Sequence, residues 1–174
     1  MRRLMLLRHA KSDQSGAAVN DRDRPLNPRG RRAASAVGAY LVQAKLVPSI
    51  VLCSTSKRTR ETFTRLAAAF AAPPRVEYEE ELYLADAGTM LALIRSLPDA
   101  AASAMLIGHN PGMHHVACDL AGSGSADARH RLNSKFPTAA LAVLDFRVDH
   151  WSGVVHGGGR LERYITPRTL AEAD

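Results

Sequence analysis

The amino-acid sequence predicts an α/β protein with a mostly parallel sheet, on three observations. Short apolar runs, LMLL (4–7), IVLC (50–53) and AMLIG (104–108), recur along the chain. Such unbroken runs suit strands covered on both faces. Between them lie longer stretches with helical spacing, closed by proline or glycine. The runs also lead into reactive side chains instead of turn formers: Arg8-His9, then Ser54 to Arg58, then Gly108-His109-Asn110.

The elements follow in order. LMLL is a strand, and residues 10–27 form a polar loop. From Pro28 to about Lys45 the spacing predicts a helix, with Asn27 as N-cap and Pro28 in the first helical position. Pro48-Ser49 separates it from the strand IVLC. Residues 57–71 read as a helix ended by Pro73-Pro74, before a brief strand near 75–78. A helix over 87–97 ends at Pro98, and a strand over 104–108 follows. The next helix, 112–121, stops at Gly122, and 122–137 (GSGSADARHRLNSKFP) is a polar, basic loop. AALAVLDF (139–146) is a strand, and 151–163 forms a last strand or hairpin. With no repeat or linker in view, residues 1–174 are expected to form a single domain.

Composition narrows the function. With 46% hydrophobic and 23% charged residues the chain has material for a full core, which excludes a largely disordered chain. A formal net charge of +6 favours anionic partners such as phosphorylated groups or acidic protein surfaces. Aromatics are few and not interleaved with the basic residues as a stacking platform requires, so no nucleic acid is expected. Cys53 and Cys118 lie far apart, with no C-x-x-C spacing, and are expected to be buried reduced thiols. The apolar run in MRRLMLLRHAK is too short for a signal peptide, and no run reaches transmembrane length. A cytoplasmic protein with no membrane partner follows. Without heptads the expected state is a monomer.

Ligands of open parallel sheets bind beyond the carboxyl ends of the strands. If the first three apolar strands are parallel, Arg8, His9, Arg58 and His109 meet at one edge. Taken singly each residue is ordinary: a solvated strand-end cation, a satisfied surface histidine, part of a wet helix start (KRTR), a helix cap. Together, at three strand ends, they make an anion site. Two guanidiniums match phosphate oxygens, one imidazole can attack phosphorus, and the other can donate to the phosphoryl group. Lys11 and Ser12 directly follow His9 and are placed to touch phosphate or substrate.

Other residues bear less weight. Asp21, Asp23 and Arg24, before Pro25-Leu26, are expected to brace the first loop. His114 and His115 are adjacent on a helix and so point to different sides, which argues against a metal pair. Arg129, His130, Arg131 and Lys135 form a basic loop suited to selecting acidic protein partners. His150 and His156 have no partner visible in the sequence.

RHAKS with DRDRPLNPRG downstream resembles the histidine phosphatase superfamily, which carries Arg-His-Gly at its first strand end; Ala10 stands here in place of Gly. CSTSKRTRETF is similar to the family's second signature, with Arg58 on its second phosphate-binding arginine and Ser54 and Thr62 on its flanks. IGHNPG resembles the third signature and places His109 on its second histidine, and FPTAAL (136–141) resembles a segment of the SixA-like branch. The resemblance spans nearly the whole chain. It implies a three-layer α/β/α fold, phosphoglycerate mutase-like, working without metal or other cofactor. It implies that His9 is the nucleophile of a phosphohistidine intermediate, with Arg8, Arg58 and His109 as the phosphate pocket. Arg8 and Arg58 would then disfavour protonated His9 and keep it nucleophilic.

Mutases and many acid phosphatases of this superfamily use a carboxylic acid to protonate the leaving oxygen, in mutases within Leu-x-Glu. Leu82-Tyr83-Leu84 matches that context and puts Leu84 where the glutamate would stand. Glu79, Glu80, Glu81 and Asp86 are the nearby acid candidates. The SixA-like branch lacks the mutase-type acid, and its substrates are phosphohistidine proteins, whose leaving imidazole departs neutral. The expected function is removal of phosphate from phosphohistidine in a phosphorylated protein. A phosphatase of small phosphate esters is one alternative, told apart by a carboxylate at the leaving oxygen. A non-catalytic phosphate-binding domain is the other, told apart by binding without turnover.

Overall fold

A computed structural model describes residues 1–16 and 20–173. The part of the first loop at 17–19 lies outside the described residues. The core is a seven-stranded sheet: β1 (Arg2–Arg8), β2 (Ile50–Ser54), β3 (Arg75–Glu79), β4 (Ser103–Gly108), β5 (Ala121–Gly124), β6 (Leu141–Phe146) and β7 (Gly159–Ile165). The spatial order is β3-β2-β4-β1-β6-β7-β5. β1, β2, β3 and β4 are parallel, while β6 runs antiparallel to both β1 and β7.

Strand alternation splits the apolar residues between the two faces. Leu4 and Leu6 of β1, Ile50 and Leu52 of β2, and Ala104 and Leu106 of β4 enter one core. Met5 and Leu7, Val51 and Cys53, and Met105 and Ile107 enter the other. The first core is closed by α3 (Ala87–Arg95), α4 (Gly112–Leu120) and α5 (Ala126–Ser134). The second is closed by α1 (Pro28–Gln43), α2 (Lys57–Ala67) and α6 (Pro167–Ala171). The three-layer α/β/α architecture is therefore the observed one. No helix among the described residues is long and apolar enough to cross a membrane.

The expected strands and the first four helices form, with ends displaced by a few residues. Asn27 caps α1 by accepting from the Gly30 N–H at 2.8 Å. That helix stops at Gln43, ahead of Lys45, which takes φ 57° and turns the chain out. Helix α2 ends at Ala67, short of residue 71, and α3 at Arg95, short of 97. Gly30 marks where α1 meets the first loop. A Cβ there would lie 2.0 Å from the Lys11 carbonyl oxygen, so only glycine lets the helix lie against that backbone.

The basic loop over 122–137 is corrected. It holds edge strand β5, which pairs parallel to β7, and helix α5, capped by Ser125. Its polar sequence hid both, since Leu132 is the only residue of α5 that is buried. The reading of 151–163 is refined to a 3-10 turn at Trp151–Gly153 followed by β7. Helix α6, unforeseen, begins on a Thr166–Thr169 capping box with Pro167 in its first turn. Cys53 is buried as expected, and burial pushes its thiol up to about 12. Cys118 is free but only half-buried, which corrects the expectation of full burial.

Candidate functional site

The parallel register of β1, β2 and β4 brings their carboxyl ends to one edge. There Arg8, His9, Arg58 and His109 line a single cleft of about 290 Å³, together with Lys11 and Ser12. Four cationic side chains, Arg8, Lys11, Arg24 and Arg58, face one carboxylate, Asp21. Such an excess of positive charge suits a multiply charged anion.

His9 leaves β1 with its N–H donated to the Gly108 carbonyl at 3.0 Å, which ties it to the end of β4. Its Nδ1 lies 2.8 Å from the Ala10 carbonyl oxygen. A carbonyl only accepts, so Nδ1 carries the proton and Nε2 keeps its lone pair. The ring is 7% exposed, and burial, with Arg58, Arg8 and Arg24 adding to it, lowers its pKa to about 3. Ala10 is not among the positive-φ residues, so alanine in place of glycine costs no backbone strain there. Its N–H donates to Thr62 Oγ1 at 3.0 Å, and that hydroxyl donates to the Arg58 carbonyl at 2.7 Å. Thr62 thereby locks the loop after β1 to α2.

Arg58, on the first turn of α2, is 2% exposed. Its Nη1 donates to the Asp21 carbonyl at 2.7 Å and its Nη2 to Asp21 Oδ2 at 3.0 Å. Asp21 also accepts from the Tyr83 hydroxyl and from Arg24 at 2.8 Å. Those donors, Tyr83 first, hold its carboxyl below the usual carboxylate range. The expected brace is thus a brace on the second arginine. Arg8 is held from the other side, where its Nη1 donates to the Phe136 carbonyl at 3.0 Å. Asn110 Nδ2 donates to the same oxygen at 2.8 Å. Among the described residues, Arg8 Nε and Arg58 Nε are buried and have no hydrogen-bond partner. Two buried, unpaired guanidinium N–H groups in one cationic cleft favour an oxyanion there.

His109, 1% exposed, has both ring nitrogens engaged. Arg58 Nη2 lies 3.2 Å from Nδ1, and Ser54 Oγ lies 2.7 Å from Nε2. Because arginine only donates, Nδ1 accepts and Nε2–H donates to Ser54. Burial, with His9 and Arg58 beside it, lowers the pKa of His109 to about 3. In this tautomer His109 therefore orients Arg58. To donate to an anion from Nδ1 it must take up a proton and release the arginine. The two rings stand 5.3 Å apart, and Tyr83 meets His109 edge-on at the same spacing.

None of the acid candidates Glu79, Glu80, Glu81 and Asp86 lines the cleft. Glu80 pairs with Arg22 and accepts from Thr55 Oγ1, Asp86 caps α3, and neither Glu79 nor Glu81 lines the cleft. Leu84 lines it instead, with φ 51°. Ser12 is buried and accepts from Arg24 Nη1 at 2.6 Å, whereas Lys11 is exposed at the rim. His114 turns to the Leu132 carbonyl and His115 outward, as adjacent helical residues must. No group of three or more potential metal ligands occurs among the described residues. His150, without a partner in the sequence, pairs with Asp99 at 2.8 Å. Tyr83 and Asn110 went unread as site residues. Tyr83 carried no pattern of its own, while Asn110 stands next to His109 within IGHNPG.

These buried histidines predict a pH dependence of folding. They bind protons near pH 6.5 when unfolded but only near pH 3 when folded. The unfolded chain therefore holds more protons over that window, and stability falls as pH drops from neutrality toward 4. Each contributes up to about 1.4 kcal/mol per pH unit. Urea midpoints should fall between pH 7.5 and pH 5, and by less in His109→Gln. An unchanged slope in that variant would remove His109 from the account.

Residues 4–93 match the model of the histidine phosphatase superfamily (branch 1). An uncharacterized protein of Mycobacterium leprae is 38% identical over 168 residues, which span 93% of this chain and 100% of that protein. A solved structure from Nakamurella multipartita, provisionally named the phosphohistidine phosphatase SixA, superposes with a TM-score of 0.83 at 31% identity, covering 95% of this chain and 96% of that one. A protein from Agrobacterium tumefaciens with the same provisional name superposes with a TM-score of 0.81 at 34% identity, covering 95% and 98%.

Proposed function

Because this chain belongs to the histidine phosphatase superfamily, and to its SixA-like branch, we propose that it is a metal-independent phosphatase that removes phosphate from phosphohistidine in proteins. The observation that carries this reading is the cleft itself. It joins a neutral histidine with Nε2 unprotonated to a buried arginine, Arg58, and a half-buried one, Arg8, and no glutamate lines it. A phosphohistidine side chain enters with its phosphoryl group between Arg8 and Arg58. The His9 Nε2 lone pair forms a bond to phosphorus as the substrate P–N bond breaks. That electron pair goes to the leaving imidazole, which was protonated beforehand on its other nitrogen and so departs neutral. Water then attacks the phosphorylated His9, its P–N bond breaks, and inorganic phosphate leaves with the proton that water gives up. Phosphoryl transfer asks mainly for positioning and charge stabilisation, and the arginines supply both. Arg58 enters this arrangement already aligned by Asp21 and His109.

The test is phosphate release, with chelator present, from a phosphohistidine peptide and from an alkyl phosphate ester. Faster release from the phosphohistidine supports the reading, because an alkoxide leaving group needs a proton donor, and the one carboxylate lining the cleft among the described residues, Asp21, is held ionised by Tyr83, Arg24 and Arg58. Comparable ester turnover sinks it in favour of a small-ester phosphatase, and phosphate binding without turnover in favour of a binding domain. Leu84→Glu should raise alkyl ester turnover on the order of tenfold or more, since a placed general acid contributes about 10²–10⁴-fold. The same substitution should leave the phosphohistidine rate nearly unchanged. A gain on both substrates would speak against an acid-limited ester reaction.

A further inference from the structure

A second concavity of about 640 Å³ adjoins the catalytic cleft, and Lys11 and Thr138 line both. Its walls are the first turn of α1, the C-terminal end of α5 and the start of α6. Arg29, Arg131, Lys135 and Arg168 join Lys11 around it. Ala33, Pro137 and Pro167 supply apolar surface between them, over a nearly buried Tyr164. The charge is only partly neutralised within the protein. Arg131 pairs with Asp127, and Arg168 with Glu172. Lys11, Arg29 and Lys135 are exposed and have no ion pair among the described residues. Sequence proximity did not make this patch, because α1, α5 and α6 lie on different layers or at distant points of the chain.

We propose that this groove holds an acidic, partly apolar segment of the phosphorylated protein, next to the residue whose phosphoryl group occupies the cleft. The proposal rests on the phosphoprotein reading above. Three features favour such a segment over other anions. The groove opens directly from the phosphate cleft, so one chain can occupy both. Its size and its alternation of cationic rim with apolar wall fit an extended peptide that carries acidic and aliphatic side chains. A nucleic acid strand would ask for stacked aromatic faces, and Tyr164, 4% exposed, is the single aromatic side chain in the lining. The groove therefore sets specificity: it selects, among phosphohistidine proteins, those with acidic sequence flanking the modified residue.

The test uses the full chain and a fluorescent peptide of alternating glutamate and leucine around one histidine, with a glutamine-for-glutamate peptide as control. The glutamate peptide should bind about tenfold more tightly than the control, the size expected for a few exposed ion pairs, and the difference should shrink in high salt. Arg29→Glu combined with Lys135→Glu should remove that preference. Its melting temperature and p-nitrophenyl phosphate turnover should stay at wild-type levels, since neither residue belongs to the phosphate cleft. Equal binding of the two peptides, or unchanged binding in the double variant, overturns the proposal. So does tighter binding of a single-stranded oligonucleotide that displaces the peptide, which would make the groove a nucleic-acid site. Phosphorylating the peptide separates the two readings. Groove-dependent binding with no phosphate release from the phosphohistidine form rejects the phosphohistidine reading alone and leaves the acidic-segment groove standing.

Discussion

Replacing His9 with alanine lowers phosphate release from a phosphohistidine peptide by at least about 10⁴-fold, the scale seen when a covalent nucleophile is deleted. The expectation follows from three facts. The ring is buried, its pKa is lowered to about 3, and its Nδ1 proton is engaged by the Ala10 carbonyl. Its Nε2 is thus unprotonated throughout the neutral range, and among the described residues it is the one imidazole nitrogen of the cleft whose lone pair no hydrogen bond occupies. His109 Nε2 donates to Ser54, and His109 Nδ1 is occupied by Arg58. A second nucleophile is therefore not at hand to replace the first. The alanine variant leaves the Ala10 carbonyl without its partner, at a cost of about 1–3 kcal/mol if water does not fill in. A melting curve therefore accompanies the assay. The decisive readout is covalent: rapid quenching of the wild type with labelled substrate should trap acid-labile, alkali-stable phosphate on the protein, and the variant should trap none. A variant that still turns over or still labels would remove His9 from the reaction.

Substituting Arg58 with alanine costs about 10³-fold in kcat/KM, between the loss of one oxyanion donor and the loss of an arginine that stabilises a transferring phosphoryl group. It also abolishes competitive inhibition by inorganic phosphate. Arg58→Lys should recover little, because an ammonium lacks the fork that reaches Asp21 and an anion at once. Folding should survive the change. The carboxylate left behind, Asp21, has a half-exposed side chain and keeps Tyr83 and Arg24. Asp21→Asn makes the complementary point. It removes the charge that aligns Arg58 without touching phosphate, so KM should rise more than kcat falls. If Arg58→Ala retained wild-type phosphate affinity, the anion would have to sit elsewhere in the cleft.

The central part of the molecule was open to reading because its local and global signals agree. Strands covered on both faces must be apolar throughout, so LMLL, IVLC and AMLIG stood out. Their helical partners carry caps and prolines where the chain turns. Once those strands are parallel, their carboxyl ends share an edge, and the arginine and histidine at each end converge. The regions misread are those in which burial is slight. Helix α5 buries one side chain and β5 is an edge strand of AGSG, so neither writes a hydrophobic period into the sequence. Helix α6 is five residues long and was marked only by its cap and Pro167.

The α/β class, the central strands and the meeting of Arg8, His9, Arg58 and His109 at one sheet edge can be read along the chain, because they follow from apolar runs and from the residue types at strand ends. The rest depends on how the layers pack. The tertiary structure chose the tautomers, through a carbonyl at Ala10 and a guanidinium at His109 that no local pattern encodes. It aimed Asp21 at Arg58 across 37 positions of chain and Tyr83 at Asp21 across 62. It also left the acidic run at 79–81 outside the cleft, with Glu80 held by Arg22 and Thr55. Hydrogen bonds and ion pairs are directional and act over a few ångströms, so their partners follow from how layers pack, whereas hydrophobic periodicity is written along the chain.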